Sequence, residues 1–111
     1  MMSGTLAQLV RASVGKSVVR ATYTVYILRS KRDGKFYTGY SGDLDLRLRE
    51  HGAGKVKSTK NRRPLELVFE KEFETRAKAC NFERYLKSPE GGPRKNELVR
   101  QYRLLLTRNE R

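Results

Sequence analysis

Two runs of β-branched and aromatic residues, joined by a polar stretch that ends in Asp33-Gly34, constrain this chain more than any other feature. Ala21-Thr-Tyr-Thr-Val-Tyr-Ile-Leu28 reads as one strand and Lys35-Phe-Tyr-Thr-Gly-Tyr-Ser41 as a second. The intervening Arg29-Ser-Lys-Arg-Asp-Gly34 is a hairpin signal. If Lys31 to Gly34 forms the loop, Ser30 pairs with Lys35 and Tyr26 lies opposite Gly39. Tyr37 is then the diagonal neighbour of Tyr26 on the same face. A two-residue loop shifts the pairing by two, so the parity survives. Two phenols share a face either way, with a glycine leaving room beside one of them. On these residues alone ordinary aromatic packing is the plainer explanation.

The next segment predicts a helix with an unusual face. Asp43 suits its N-cap and Gly52 its end. Leu44, Arg47, Leu48 and His51 recur at i, i+3, i+4 and i+7. Two leucines turned to the sheet therefore bring with them an arginine and the single histidine of the chain. Either these polar groups sit at the edge of the stripe with the arginine stem snorkelling, or they belong to a site. The pattern alone does not choose.

Gly52-Ala-Gly-Lys-Val-Lys-Ser-Thr-Lys-Asn-Arg-Arg63 follows, acid-free and basic at Lys55, Lys57, Lys60, Arg62 and Arg63. It reads as a flexible loop suited to a phosphate backbone, or as a solvated connection. Leu65 to Glu70 alternates as a third strand with Leu65, Leu67 and Phe69 on one apolar face. Thr75 opens a second helix running to about Lys87, in which Ala79, Phe82, Glu83 and Leu86 share a stripe. A carboxylate drawn into such a stripe needs a cation, a hydrogen-bond donor or a metal. The bland option is an ion pair with one of the arginines. A last helix, with Pro93 suited to its first turn, carries Leu98, Tyr102, Leu105 and Leu106 on its apolar side. Arg94, Lys95, Arg100, Arg103 and Arg108 leave it basic.

Charge decides the partner class. In 111 residues, 25 Lys and Arg face 12 acids, a net charge of +13, which points to a polyanion: nucleic acid first, an anionic membrane second. No apolar run approaches a membrane span. The single cysteine, Cys80, excludes an intrachain disulfide and predicts an intracellular, cytoplasmic setting. Residues 1–20 contain no acid and read as a poorly ordered extension, or less readily as an organellar transit peptide, ahead of one domain over 21–111.

Tyr23 to Leu28, Phe36-Tyr-Thr-Gly39 and Asp43 to His51, followed by the basic loop and Glu83, together resemble the GIY-YIG nuclease domain. The likeness is to its small stand-alone members, related to the N-terminal domain of the excision nuclease UvrC, and covers about residues 22 to 100. It implies an α+β (α/β) fold: a small three-stranded antiparallel sheet flanked by helices. It also implies a metal-dependent endonuclease hydrolysing phosphodiester bonds, with DNA ahead of RNA, in repair or processing of structured DNA. The alternative is a non-catalytic nucleic-acid-binding module on the same fold. The residues matching the family's catalytic set are Tyr26, Tyr37, Arg47, His51 and Glu83, with Asn96 a weaker sixth. Glu83 corresponds to the carboxylate that binds one divalent cation, magnesium or manganese. Tyr26 corresponds to the tyrosine that prepares the attacking water, its pKa expected to fall beside Arg47 and the metal. Arg47 would hold the scissile phosphate, and His51 would take or orient the phenol proton. Thr24 and Thr38 depart from the family name, and Tyr40 stands where UvrC-like domains carry a lysine.

Overall fold

The β1 strand, Tyr23–Ser30, forms the centre of a three-stranded antiparallel sheet of order β2-β1-β3, with β2 at Phe36–Ser41 and β3 at Leu65–Phe73. The structure, a computed structural model, describes residues 22–109, so the expectation for residues 1–20 lies outside it. Helix α1 spans Leu44–Gly52, α2 Arg76–Lys87 and α3 Gly92–Asn109, with a short 3-10 turn at Lys60–Arg62 before β3. This is the α+β architecture that the resemblance implied.

The hairpin takes the four-residue loop. Ser30 N–H donates to the Lys35 carbonyl at 2.9 Å, and Tyr26 pairs with Gly39. Ser30 fixes the turn: its buried Oγ accepts from the Arg32 and Asp33 amides, each at 3.1 Å, and donates to the Arg62 carbonyl at 2.6 Å. One hydroxyl thus ties the β1–β2 turn to the segment before β3.

On one face of the sheet Val25 and Ile27 join Val68, Phe69, Ala79, Leu86 and Val99 in the core under α2 and α3. Burying side chains such as Ile27 and Leu86 stabilises the fold by roughly 1.5–3 kcal/mol each. On the other face Tyr26 and Leu28 meet α1 and the loop after it.

β3 departs from the simple alternation. Ile27 pairs with Phe69 but Leu28 with Leu67, so Val68 is the extra residue of a β-bulge. The bulge sends Phe69 to the core beside Val68, while Leu65 and Leu67 stay with Leu28 on the opposite face. A single apolar face on this strand is therefore corrected to two.

The helix caps follow the sequence. Asp43 accepts from Leu46 N–H and Thr75 from Lys78 N–H, each at 3.1 Å. The left-handed residue that ends α1 is Gly54 (φ 78°) rather than Gly52, which is still helical. The expected stripe of α3 is shorter than its leucines suggest. Val99 is buried and Leu98 and Tyr102 pack on the core, with the Tyr102 hydroxyl donating to Glu70 at 3.1 Å. Leu105 and Leu106 are 55% and 46% exposed, because an 18-residue helix of about 27 Å outruns the sheet beneath it.

The basic segment after α1 is packed, not a flexible tether. Val56 and Thr59 are buried, Lys31 N–H donates to the Pro64 carbonyl at 2.9 Å, and Arg32 Nη1 to the Asn61 carbonyl at 3.0 Å. Among the described residues no helix is long and apolar enough to cross a membrane.

Candidate active site

Tyr26 projects from the middle of the central strand into a space that Gly39 keeps open. A Cβ at Gly39 would stand 2.8 Å from the phenol oxygen and 3.2 Å from Cε2 of Tyr37. The helical spacing of α1 swings His51 over the same spot. Its Nε2 lies 2.9 Å from the Tyr26 oxygen, and its Nδ1 lies 2.8 Å from Thr59 Oγ1. Tyr37 closes the group, its ring edge-on to His51 at 5.1 Å and tilted to Tyr26 at 6.3 Å.

The Arg47 guanidinium, one turn before His51, pairs with Glu50 at 3.1 Å, and its charge acts on the Tyr26 phenol. Tyr26, His51 and Thr59 form one hydrogen-bonded chain, and either neutral tautomer of His51 completes both of its bonds.

Two members of the chain depart from their ordinary titration. Burial pushes the Tyr26 phenol up to about 12, against a smaller downward pull from Arg47; Tyr37 and Glu83 push it up as well. The sequence expectation of a lowered phenol pKa counted a bound metal as well as Arg47; of the protein groups alone, desolvation outweighs the arginine. Burial, then the Arg47 charge, holds the His51 imidazole below its ordinary value.

This has a sign that can be checked. An unfolded chain binds a proton at His51 near its ordinary 6.5, which the folded chain refuses until lower pH. Stability from this group is therefore present above pH 6.5 and drains away as pH falls below it. His51→Gln is expected to flatten the loss of melting temperature between about pH 7.5 and 5.5. Equal acid sensitivity in both proteins would rule out a buried neutral His51.

Glu83 sits on α2 with its side chain 14% exposed, and its charge is felt at the Tyr26 phenol. Its ion-pair partner is Lys87, at 2.8 Å, rather than an arginine. Lys87 is half exposed, so the pair is of the weak i,i+4 surface kind. Tyr26, Tyr37 and His51 are thus in mutual ring contact, and the charges of Arg47 and Glu83 act on the Tyr26 phenol from α1 and α2. Asn96 is not brought in: it is exposed on α3.

Among the basic residues, Lys55, Lys57 and Lys60 are exposed. Arg62 is not free for a ligand, being held by Asp33 at 3.2 Å and by the Phe36 carbonyl. Arg63 donates to the Lys60 and Gly52 carbonyls at 3.0 and 3.1 Å, and keeps an uncompensated charge.

Two residues escaped the sequence reasoning. Thr59 is fully buried against His51, and its only signal was a small hydroxyl inside an otherwise charged run. Lys95, beside Asn96, lies over the Phe36 ring at 5.7 Å; burial, then the nearby Lys87, lowers its pKa.

The three-stranded sheet thus has Tyr26, Tyr37 and His51 grouped on its hairpin face, with Glu83 on a neighbouring helix. The chain belongs to the GIY-YIG family: the model described as the GIY-YIG catalytic domain matches residues 22–96. Within it the chain is similar to the UPF0213 proteins, small stand-alone members. A UPF0213 protein of Staphylococcus saprophyticus is 40% identical over 65 residues, 58% of this chain and 78% of that one. The UPF0213 protein YazA of Bacillus subtilis is 43% identical over 63 residues, 56% of this chain and 63% of its own. The solution structure of a UPF0213 protein from Bacillus halodurans, 37% identical, covers 72% of this chain and 84% of that chain with a TM-score of 0.46.

Proposed function

We propose that this protein is a cytoplasmic, divalent-metal-dependent endonuclease that hydrolyses phosphodiester bonds, with DNA ahead of RNA as substrate and repair or processing of structured DNA as its setting. The observation that carries the reading is the buried hydrogen-bonded chain of Tyr26, His51 and Thr59, on which the charges of Arg47 and Glu83 both act at the phenol.

In this reading Arg47, 38% exposed, turns its planar fork to the scissile phosphate. Tyr26 stays protonated at neutral pH and serves as a relay. As water attacks phosphorus, the phenol oxygen accepts the water's proton while its own proton passes to His51 Nε2. Complete transfer from a phenol near 12 to an imidazole below 6.5 is uphill by at least roughly 7 kcal/mol, so it runs in concert with the attack. Thr59 accepts from Nδ1–H and keeps Nε2 free for this task. Tyr37 walls the water's position.

The donor set fits a hard cation. Among the described residues no group of three His, Cys, Asp or Glu forms a cage. Glu83 alone would hold the ion, as suits magnesium or manganese, which keep most of their waters. Such an ion supplies charge stabilisation at the leaving oxygen. Lys87 would yield Glu83 to it at small cost.

Nucleic acid is gripped by Lys55, Lys57, Lys60 and Arg63, with Arg62 as a structural residue of the loop. Replacing the three lysines by alanine is expected to lower the slope of log affinity against log salt by up to about 0.9 per lost phosphate contact. Arg62→Ala is expected to leave that slope nearly unchanged. Titrations at several salt concentrations check both.

One observation favours the second reading, a binding module without catalysis: Glu83 already has a cation, Lys87. Incubation with branched, nicked, duplex and single-stranded DNA and RNA, with magnesium, manganese or chelator, separates the two. Metal-dependent cleavage of any member supports the nuclease, and binding without cleavage across the panel supports the module.

A further inference from the structure

Beside His51, between α1 and the segment that leads into β3, lies a cleft of ≈ 670 Å³. Its floor is apolar, made of Leu28, Leu48, Leu65 and Leu67, and its rim carries Arg32, Lys60 and Arg63. We infer that this cleft receives one unpaired nucleobase of the bound strand, which makes the preferred substrate a strand with an unpaired nucleotide beside the cleaved bond. The inference deepens the nuclease reading and rests on it for the cleavage step alone.

The volume lies within the ~300–1,000 Å³ usual for sites that enclose a small molecule. The bulge in β3 is what makes the floor, because it keeps Leu65 and Leu67 on the Leu28 side. His51 is buried and spends both ring nitrogens on Tyr26 and Thr59, so it offers the cleft no free polar atom. An apolar, flat occupant suits such walls.

The rim specifies an anion attached to that occupant. No Asp or Glu lines the cleft. Arg32 and Arg63 are pinned by neutral carbonyls of Asn61, Lys60 and Gly52, which fix their direction without cancelling their charge. Arg63 lies flat over Gly54, where a Cβ would come 2.8 Å from its Cζ. A fixed guanidinium plane is a stacking surface for a base and a donor to phosphate.

A base held in a duplex reaches such a cleft only by leaving its stack, which costs a few kcal/mol, whereas an unpaired base enters freely. His51 is a wall of the cleft and the partner of Tyr26, so in this inference the seated base belongs to the nucleotide next to the bond that is cut.

The test measures binding by the full chain in chelator, where no cleavage occurs. Two labelled strands of equal length and charge are compared by fluorescence anisotropy: one wholly abasic, the other abasic but for a single aminopurine. Base contacts of this type are worth about a factor of ten in affinity, and that gain is the expected result. Leu65→Trp, which fills the cleft, should erase the gain and leave affinity for the abasic strand unchanged, with circular dichroism and a wild-type-like melting transition reporting that the variant is folded. DNA and RNA backbones are run in parallel, and a gain on either supports the inference. Equal affinity for the two strands on both backbones overturns it, as does a free mononucleotide binding as tightly as the strand. A chain that shows the gain yet never cleaves loses the nuclease reading and keeps the base site. A chain that cleaves without the gain keeps the first and loses the second.

Discussion

Glu83→Gln is expected to lower metal-dependent cleavage at least ~10²-fold while nucleic-acid affinity and fold remain near wild type. The carboxylate is the group proposed to hold a hard cation, its charge acts on the Tyr26 phenol, and the amide keeps its size but not its charge. The stability cost follows from its partner. Lys87 is 51% exposed and returns to water when the pair is broken, so the loss is about 0.5 kcal/mol or less. Had Glu83 faced a buried arginine, breaking the pair would have cost on the order of 3–5 kcal/mol, and activity and stability would have fallen together. Paired measurements of melting temperature and cleavage rate therefore separate the roles. A variant that cleaves like wild type would leave Glu83 as a helix-surface residue and remove the metal from the proposal.

Much of this site was legible because local periodicities generate it. The hairpin loop fixes the register that puts Tyr26 against Gly39 and Tyr37 on its face. The 3.6-residue repeat stacks His51 on Arg47 and tucks Glu83 beside Ala79, Phe82 and Leu86. What the sequence concealed depends on contacts that no periodicity carries. Thr59 meets His51 only because the basic segment folds back under Ser30 and Pro64. Arg62 reads as a phosphate ligand in a basic run, yet Asp33, 29 residues earlier, claims it. The bulge at Val68 inverts half a strand without a glycine to announce it. Of the protein groups acting on the phenol, burial outweighs Arg47 and reverses its pull, and burial is what composition does not reveal.

That reversal makes the pH dependence of Tyr26 the sharper test of mechanism. With a phenol near 12, tyrosinate is scarce at neutral pH, and the group that must be free of its proton is His51. The cleavage rate is expected to rise through an acid limb below pH 6.5 and then stay level to about pH 9. A tyrosinate base would instead give a rate still climbing about tenfold per pH unit over that range. Tyr26→Phe removes the relay while keeping the ring against His51 and Tyr37, and is expected to cost about 10²–10⁴ in rate, as loss of a positioned proton-transfer group does. The same substitution carries a stability signature of opposite sign to that of His51. A phenol whose folded pKa is raised to about 12 contributes stability that is complete below its unfolded value near 10 and is lost as pH climbs from 10 toward 12. Wild type should therefore lose melting temperature across that alkaline window more steeply than the phenylalanine variant. A level rate to pH 9, together with that steeper alkaline loss, assigns Tyr26 as a protonated relay. A rate that keeps rising with pH would make the phenol itself the base and reduce His51 to its support.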